Sequence, residues 1–201
     1  MAILFFFVRH FLFLFFRVAY RLKVEGVENL PDGGAIIAAN HLSFFDPPLI
    51  AAACPKMPHF LARKNLFDNP VFGLLISSLN AHPIGVNDSN LAVLRKMTQY
   101  LKEGEKVTLF PEGKRSPTGE IQPFLLGAAL LASKSGCPIV PCAIQGTYEI
   151  WGKQRQFPLP WGRVIVSFGK PLYWTDYNQG TSKEGQIKMT HDLESSVRAM
   201  I

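Results

Sequence analysis

Imidazole is the side chain best suited to exchanging a proton near neutral pH, and His41 sits in a short polar run between two apolar stretches. That run is Asn40-His41-Leu42-Ser43-Phe44-Phe45-Asp46. A histidine works as a base when something fixes its tautomer, and Asp46 is the nearest carboxylate. On a continuous helix two residues five positions apart lie on different faces, since each residue turns the helix by about 100°. They meet only if the chain bends, which Pro47-Pro48 favours. Asp46 followed by Pro47 also reads as a helix N-cap with proline at the first helical position. A carboxylate has two oxygens, so it can both cap the helix and hold His41.

A second polar loop follows Lys106-Val107-Thr108-Leu109-Phe110: Pro111-Glu112-Gly113-Lys114-Arg115-Ser116-Pro117-Thr118-Gly119. Gly113 permits a backbone conformation closed to other residues, and Arg115 offers a planar fork suited to phosphate or carboxylate. Lys114 adds a second positive charge, and Glu112 stands where it could orient both by ion pairing. Arg63-Lys64, at the end of another short strand, could hold a phosphate or be a solvated pair. The alternative for the whole loop is a surface turn, for which Pro, Gly, Ser and Thr are ordinary residues.

The elements that position these loops alternate. Ala35-Ile36-Ile37-Ala38-Ala39 reads as a buried strand that delivers His41 just past its carboxyl end, where ligands gather in open α/β sheets. Leu22 to Leu30 is predicted as an edge strand, His59 to Ala62 and His82 to Val86 as short strands, and Val71 to Leu79 as an apolar segment. Asp88-Ser89 opens an amphipathic helix carrying Leu91, Leu94, Met97 or Thr98, and Leu101, with Gly104 as its stop. Gly127 to Lys134 is a small-residue helix suited to close packing on a sheet. Pro138 to Ile144 reads as a buried strand whose Pro141 calls for a bulge, an edge or a strand start. Trp151 to Trp161 is rich in Trp and Pro, and its aromatics could sit at a lipid interface or cover the core. Arg163 to Phe168 is the last strand, and residues 183–200 form a helix that packs by Ile187 and Val197. The alternation predicts an α/β fold with a mixed, mainly parallel sheet flanked by helices.

The 201 residues suffice for one domain with a substantial core. A net charge of +6 favours an anionic partner. No zinc-finger or RNA-binding signature is present, which makes nucleic acid the weakest such partner. Cys54, Cys137 and Cys142 have neither metal spacing nor an even count, and read as buried thiols in a reducing compartment. Residues 3–20 hold two Phe-rich runs split by Arg9. A spanning helix needs about 20 apolar residues, and a central Arg would cost at least about 2.5–3.5 kcal/mol. The segment therefore reads as an anchor lying on or partly inserted into one leaflet, with Arg9, Arg17 and Arg21 reaching for phosphate headgroups, the alternative being a strongly hydrophobic helix packed on the core. This divides the chain into an anchoring helix, 1–21, and a catalytic domain, 22–201. Removing residues 1–18 is then expected to lower membrane association more than it harms the fold.

The ordered set Asn40-His41-x-Ser43-x-x-Asp46, Phe110-Pro111-Glu112-Gly113-Lys114-Arg115-Ser116 and Val140-Pro141 resembles the glycerolipid acyltransferases, most closely the 1-acylglycerol-3-phosphate (lysophosphatidate) acyltransferases. The resemblance covers roughly residues 25–170 and rests on the two loops together. It implies a glycerol-3-phosphate acyltransferase-like fold and acyl transfer from acyl-CoA or acyl-acyl carrier protein to the free hydroxyl of a lysophospholipid. It makes His41 the general base and Asp46 its orienting partner. Glu112, Gly113 and Arg115 fall to acceptor binding, with Arg115 on the glycerol phosphate, and Pro141 to the acyl-donor side. No metal or prosthetic group is implied. The site would face the cytoplasmic side of a membrane holding the protein as a monotopic or peripheral enzyme.

Two departures bear on the acceptor. Many relatives carry an Arg after the strand that here ends Pro83-Ile84-Gly85-Val86-Asn87, and often a Lys where this chain has Leu126. That phosphate contact is then either absent or falls to Arg63 or Lys64, and another lysophospholipid or glycerol 3-phosphate becomes a possible acceptor. Two further alternatives are a membrane-surface lipid binder without chemistry and a hydrolase of acyl esters.

Overall fold

A computed structural model describes residues 2–84 and 90–201, with the side chains of residues 6–62, 64–70, 73, 74, 76–83 and 91–201. The expected strand residues Gly85 and Val86 and the expected cap at Asp88-Ser89 lie outside the described residues.

Among the described residues seven strands form one sheet: β1 (Lys23–Glu25), β2 (Ala35–Ala39), β3 (His59–Arg63), β4 (Ala81–Ile84), β5 (Lys106–Leu109), β6 (Ile139–Gln145) and β7 (Ile165–Phe168). Their spatial order is β1-β7-β6-β2-β5-β3-β4, parallel throughout except at the β6/β7 pair. Helices α1 (Ala2–Ala19), α2 (Asp46–Ala53), α3 (Pro70–Ser78), α4 (Asn90–Lys102), α5 (Gly127–Ser135), α6 (Thr147–Trp151) and α7 (Ser182–Arg198) complete the chain. The mixed, mainly parallel α/β architecture expected from alternation is the one observed.

β2 lies at the centre and is buried along its whole length. Its pleat divides the core. Ala35, Ile37 and Ala39 pack with α2 and the buried end of α1, whereas Ile36 and Ala38 face α4, α5 and α7. A strand buried on both faces must be apolar at every position, which is why Ala-Ile-Ile-Ala-Ala shows no alternation. Ala128, Ala129 and Ala132 bring α5 close to the sheet, and Gly136 ends it at a φ of 73°.

Several local expectations are corrected. Asp46 does not cap its own helix: Pro47 and Pro48 have no N–H to offer, and the Leu49 N–H is taken by the Phe45 carbonyl at 2.9 Å. Its carboxylate is free to turn back toward His41. Pro141 needs neither bulge, edge nor strand start. It lies inside β6, and its ring nitrogen falls beyond the last rung of β7, where the ladder begins at Cys142 and Phe168. The Pro141 carbonyl still accepts from Gly169 N–H at 2.8 Å. The edge strand predicted for Leu22 to Leu30 covers only Lys23–Glu25 before a 3-10 turn at Val27–Asn29. Leu91 and Ile187 are exposed. α7 instead packs by Met189, Leu193 and Val197, a four-residue spacing from which Ile187 lies about half a turn away.

α1 differs most from expectation. Phe16 is 1% exposed and joins Tyr20 in the core, so removing residues 1–18 would open the fold as well as release the helix. Arg9 does not reach outward: its Nε donates to the Cys54 carbonyl at 2.6 Å, closing the carboxyl end of α2. Arg17 Nη1 donates to the Leu22 carbonyl at 2.8 Å. Free carbonyls at a helix end carry partial negative charge, which makes the Cys54 carbonyl a good partner for the Arg9 guanidinium. Among the described residues no helix is long and apolar enough to cross a membrane.

Candidate active site

Five parallel strands, β2 to β6, end at one edge of the sheet, and the loops leaving β2, β5 and β6 meet around His41. Asn40 makes the transition from strand to loop. Its side-chain amide donates to the Ile144 carbonyl at 2.9 Å and accepts from Ile144 N–H at 2.8 Å, acting as one more rung to β6. The backbone can leave the sheet there without abandoning buried polar groups.

His41 is held on several sides. Its N–H donates to Glu112 Oε1 at 2.7 Å, and its carbonyl accepts from Ser116 N–H at 2.8 Å. The Phe110 ring stacks on the imidazole with centroids 4.0 Å apart. Nδ1 lies 2.8 Å from Asp46 Oδ2. That oxygen also accepts from Leu42 N–H at 2.6 Å and Ser43 N–H at 2.7 Å. Asp46 Oδ1 accepts from the Thr147 hydroxyl at 2.8 Å. Asp46 is fully buried, and the donors converging on it suit a carboxylate rather than a protonated acid. An acceptor-only partner makes Nδ1 the protonated nitrogen and leaves the Nε2 lone pair for a substrate proton. The imidazole side chain is 17% exposed, shielded but reachable.

The second loop surrounds this pair. Gly113 turns at a φ of 70°, its N–H closing on the Phe110 carbonyl at 2.9 Å. Glu112 is buried and does not orient Lys114 and Arg115: its other oxygen accepts from Gln122 N–H at 3.0 Å. Burial pushes its carboxyl above the ordinary range, offset in part by the two N–H donors. Glu112 therefore braces the His41 loop against residues 111–122. The Arg115 guanidinium lies over the Phe44 ring, with its central carbon 3.5 Å from the centroid. Its Nη1 is buried with no hydrogen-bond partner among the described residues. A buried donor left open in this way suits an incoming anion.

The remaining sequence candidates lie at different distances from this centre. Lys114 is exposed on the same loop. Lys64 is exposed at the carboxyl end of β3, on the edge that carries His41, and the Arg63 side chain lies outside the described residues. Pro141 is buried within β6 and does not belong to the loop cluster. Cys54 and Cys142 are buried free thiols, and burial pushes Cys54 up to about 12, far from a thiolate nucleophile.

Thr147 was not legible as a site residue. It stands 101 positions from Asp46, directly after Gly146. That glycine holds a φ of 81°, and a Cβ there would meet the Arg163 carbonyl oxygen at 2.0 Å. The Gly-Thr pair was the available signal, a tight turn followed by a hydroxyl at a strand's carboxyl end.

This geometry, a histidine with a fixed tautomer beside a cationic loop at a parallel-sheet edge, is that of a site able to activate a hydroxyl near an anion. Residues 21–145 match the acyltransferase family, and the chain belongs to it. It is 32% identical over 181 residues to the 1-acyl-sn-glycerol-3-phosphate acyltransferase of Bacillus subtilis, covering 89% of this chain and 87% of that protein. It is 33% identical over 158 residues to a chloroplastic 1-acyl-sn-glycerol-3-phosphate acyltransferase of Brassica napus, covering 77% of this chain but only 46% of that protein. The crystal structure of the 1-acyl-sn-glycerophosphate acyltransferase PlsC from Thermotoga maritima superposes with a TM-score of 0.76 at 28% identity. It covers 99% of this chain and 78% of that one.

Proposed function

We propose that the protein transfers a fatty acyl group from acyl-CoA or acyl-acyl carrier protein to the free hydroxyl of 1-acylglycerol 3-phosphate, giving phosphatidate for phospholipid synthesis. The observation that carries this reading is the His41 Nδ1 to Asp46 Oδ2 contact of 2.8 Å, on an aspartate whose other oxygen is also bound. The names of the relatives supply the acceptor.

An alcohol's pKa lies far above 7, so its oxygen needs a base as it attacks, whereas a thioester already carries a good leaving group. His41 Nε2 takes the hydroxyl proton as the oxygen adds to the thioester carbonyl. Asp46 stabilises the imidazolium that forms. The tetrahedral intermediate collapses with cleavage of the C–S bond, and the departing thiolate takes the proton from Nε2. One C–O bond forms, one C–S bond breaks, and His41 returns to its starting state. Direct transfer is favoured because the thiols of Cys54 and Cys142 are buried and Ser43 Oγ is committed to the Trp151 carbonyl at 2.8 Å. Arg115 receives the acceptor phosphate, with Lys114, Lys64 and Arg63 adding positive potential at the same edge. Glu112 and Gly113 shape the loop, and Pro141 serves the donor side by fixing β6.

Both the lysolipid and the product reside in a bilayer, and residues 1–21 serve as the anchor that keeps 22–201 at its cytoplasmic face. Support comes from Phe11, Leu14 and Val18, which α1 leaves 68%, 62% and 72% exposed.

The test is product formation by purified protein in mixed micelles with lysophosphatidate and each thioester donor. Wild type should make phosphatidate, and His41→Ala should lose about 10²–10⁴-fold or more in turnover while keeping its melting temperature. Full turnover by His41→Ala would sink the assignment of the base. No product from folded wild type with either donor would sink the acceptor.

A further inference from the structure

The segment between α6 and β7 has a composition the reaction does not explain. Phe157 and Trp161 are 73% and 75% exposed, and Leu159 between them is 38% exposed, so alternate residues of an irregular loop all present apolar groups outward. Lys153, Arg155 and Arg163 flank them, also exposed. No Asp or Glu occurs between Glu149 and Asp176. Large aromatics left in water within a wholly cationic stretch suit an interface that is apolar below and anionic at its surface.

The loop's attachments say where that interface lies. Tyr20, at the end of α1, donates its hydroxyl to the Leu159 carbonyl at 2.8 Å, and its own carbonyl accepts from Val164 N–H at 3.0 Å. In the other direction, Tyr148 Oη and Gln154 Nε2 reach the Pro117 carbonyl, at 3.0 and 3.4 Å, on the loop that carries Arg115. The Trp151 carbonyl accepts from Ser43 Oγ in the His41 loop. Together α6 and the segment after it are thus bonded both to the exposed helix and to the two loops of the candidate site.

We propose that Phe157, Leu159 and Trp161 form a second contact with an anionic lipid surface, beside α1, and that this contact turns the sheet edge bearing His41 toward the bilayer. The proposal rests on the membrane reading given above. A helix lying in an interface fixes a line about which the domain can still rotate. A second point bonded off that line removes the rotation. The lysolipid hydroxyl would then meet His41 without the acceptor leaving the membrane.

Trp161 reports directly on this contact. The full chain is mixed with phosphatidylcholine vesicles with and without phosphatidylglycerol, carrying brominated acyl chains that quench indole fluorescence at short range. Wild type should be quenched, more so with the anionic lipid, and Trp161→Phe should lose most of the quenchable signal. Phe157→Ser combined with Trp161→Ser should bind the vesicles about tenfold or more weakly, as expected from the loss of aromatic burial, with an unchanged melting temperature because both side chains are exposed. Equal quenching of wild type and Trp161→Phe, or unchanged vesicle affinity in the double variant, would overturn the proposal. A chain that sediments with vesicles while Trp161 stays unquenched would sink this contact and leave the α1 anchor standing. A chain that does not sediment would sink both.

Discussion

Thr147 shows how much one buried hydroxyl can matter. It is the donor to Asp46 Oδ1, and a hydrogen bond to a charged group contributes about 1.5–3 kcal/mol. Thr147→Val should lower kcat by about tenfold or more on that scale, with a smaller effect on KM. Thr147→Ser should restore the rate, and an unchanged kcat in the Val variant would show the contact to be structural only. Phe44 makes a complementary case. Its ring under the Arg115 guanidinium gives a cation–π contact of about 0.5–2 kcal/mol. Phe44→Leu should therefore raise KM for the phosphorylated acceptor about two- to thirtyfold on that scale. Phe44→Tyr should recover most of it, and kcat should change little. A loss confined to kcat would place Phe44 with the base instead.

At the scale of elements, the β3 and β4 edge carries a pH dependence of its own. His59 Nδ1 and His82 Nε2 are 2.8 Å apart, a contact in which one ring donates and the other accepts as a neutral base. Tyr100 stacks on His59 at 3.9 Å, and Lys96, Glu103 and Glu105 act on the pair from α4 and the turn after it. Burial lowers both histidines, His82 to about 4. A depressed native value means that the unfolded chain binds the proton more readily. The contribution is therefore complete above the ordinary value near 6.5 and is lost as pH falls toward about 4. The raised carboxyl of Glu112 works in the opposite sense, losing stability as pH rises through its own titration. Urea midpoints of wild type and His82→Gln should differ most at neutral pH and converge toward pH 4. Parallel curves would remove the histidine pair from the account.

The same scale shows what could be read from sequence and why. The strands around β2 were legible because burial on both faces leaves a continuous apolar run, and the His41 to Asp46 pair because its partners are local. Glu112 was misread as a partner for Lys114 and Arg115 because adjacency in sequence suggests pairing, while its real partners are backbone N–H groups 71 and 10 positions away. Arg9 was misread for a related reason: an Arg between apolar runs looks bound for a headgroup until a helix end supplies carbonyls. Thr147 gave no local sign of its target. Such errors share a cause, since burial and distant partners are products of the tertiary fold.

At the scale of the whole molecule, α1 presents two faces, one buried and one exposed. Phe16 belongs to the core, and Phe16→Ala should destabilise by about 3–5 kcal/mol, read from urea denaturation. Phe11→Ser, Leu14→Ser and Val18→Ser together should leave that stability nearly unchanged while lowering sedimentation with anionic vesicles. Undiminished sedimentation would refute α1 as the anchor.

The Asp46 carboxylate has a consequence for the order of assembly. Its ligands come from the adjacent loop and from Thr147, 101 residues downstream, while His41 waits for Glu112. During synthesis the His41–Asp46 contact can form locally, but the second Asp46 oxygen lacks its Thr147 donor until β6 has docked beside β2 and Gly146 has turned. The buried carboxylate is thus completed only when the last third of the chain is in place. The amides of Leu42 and Ser43 should then exchange with solvent only when the entire sheet opens.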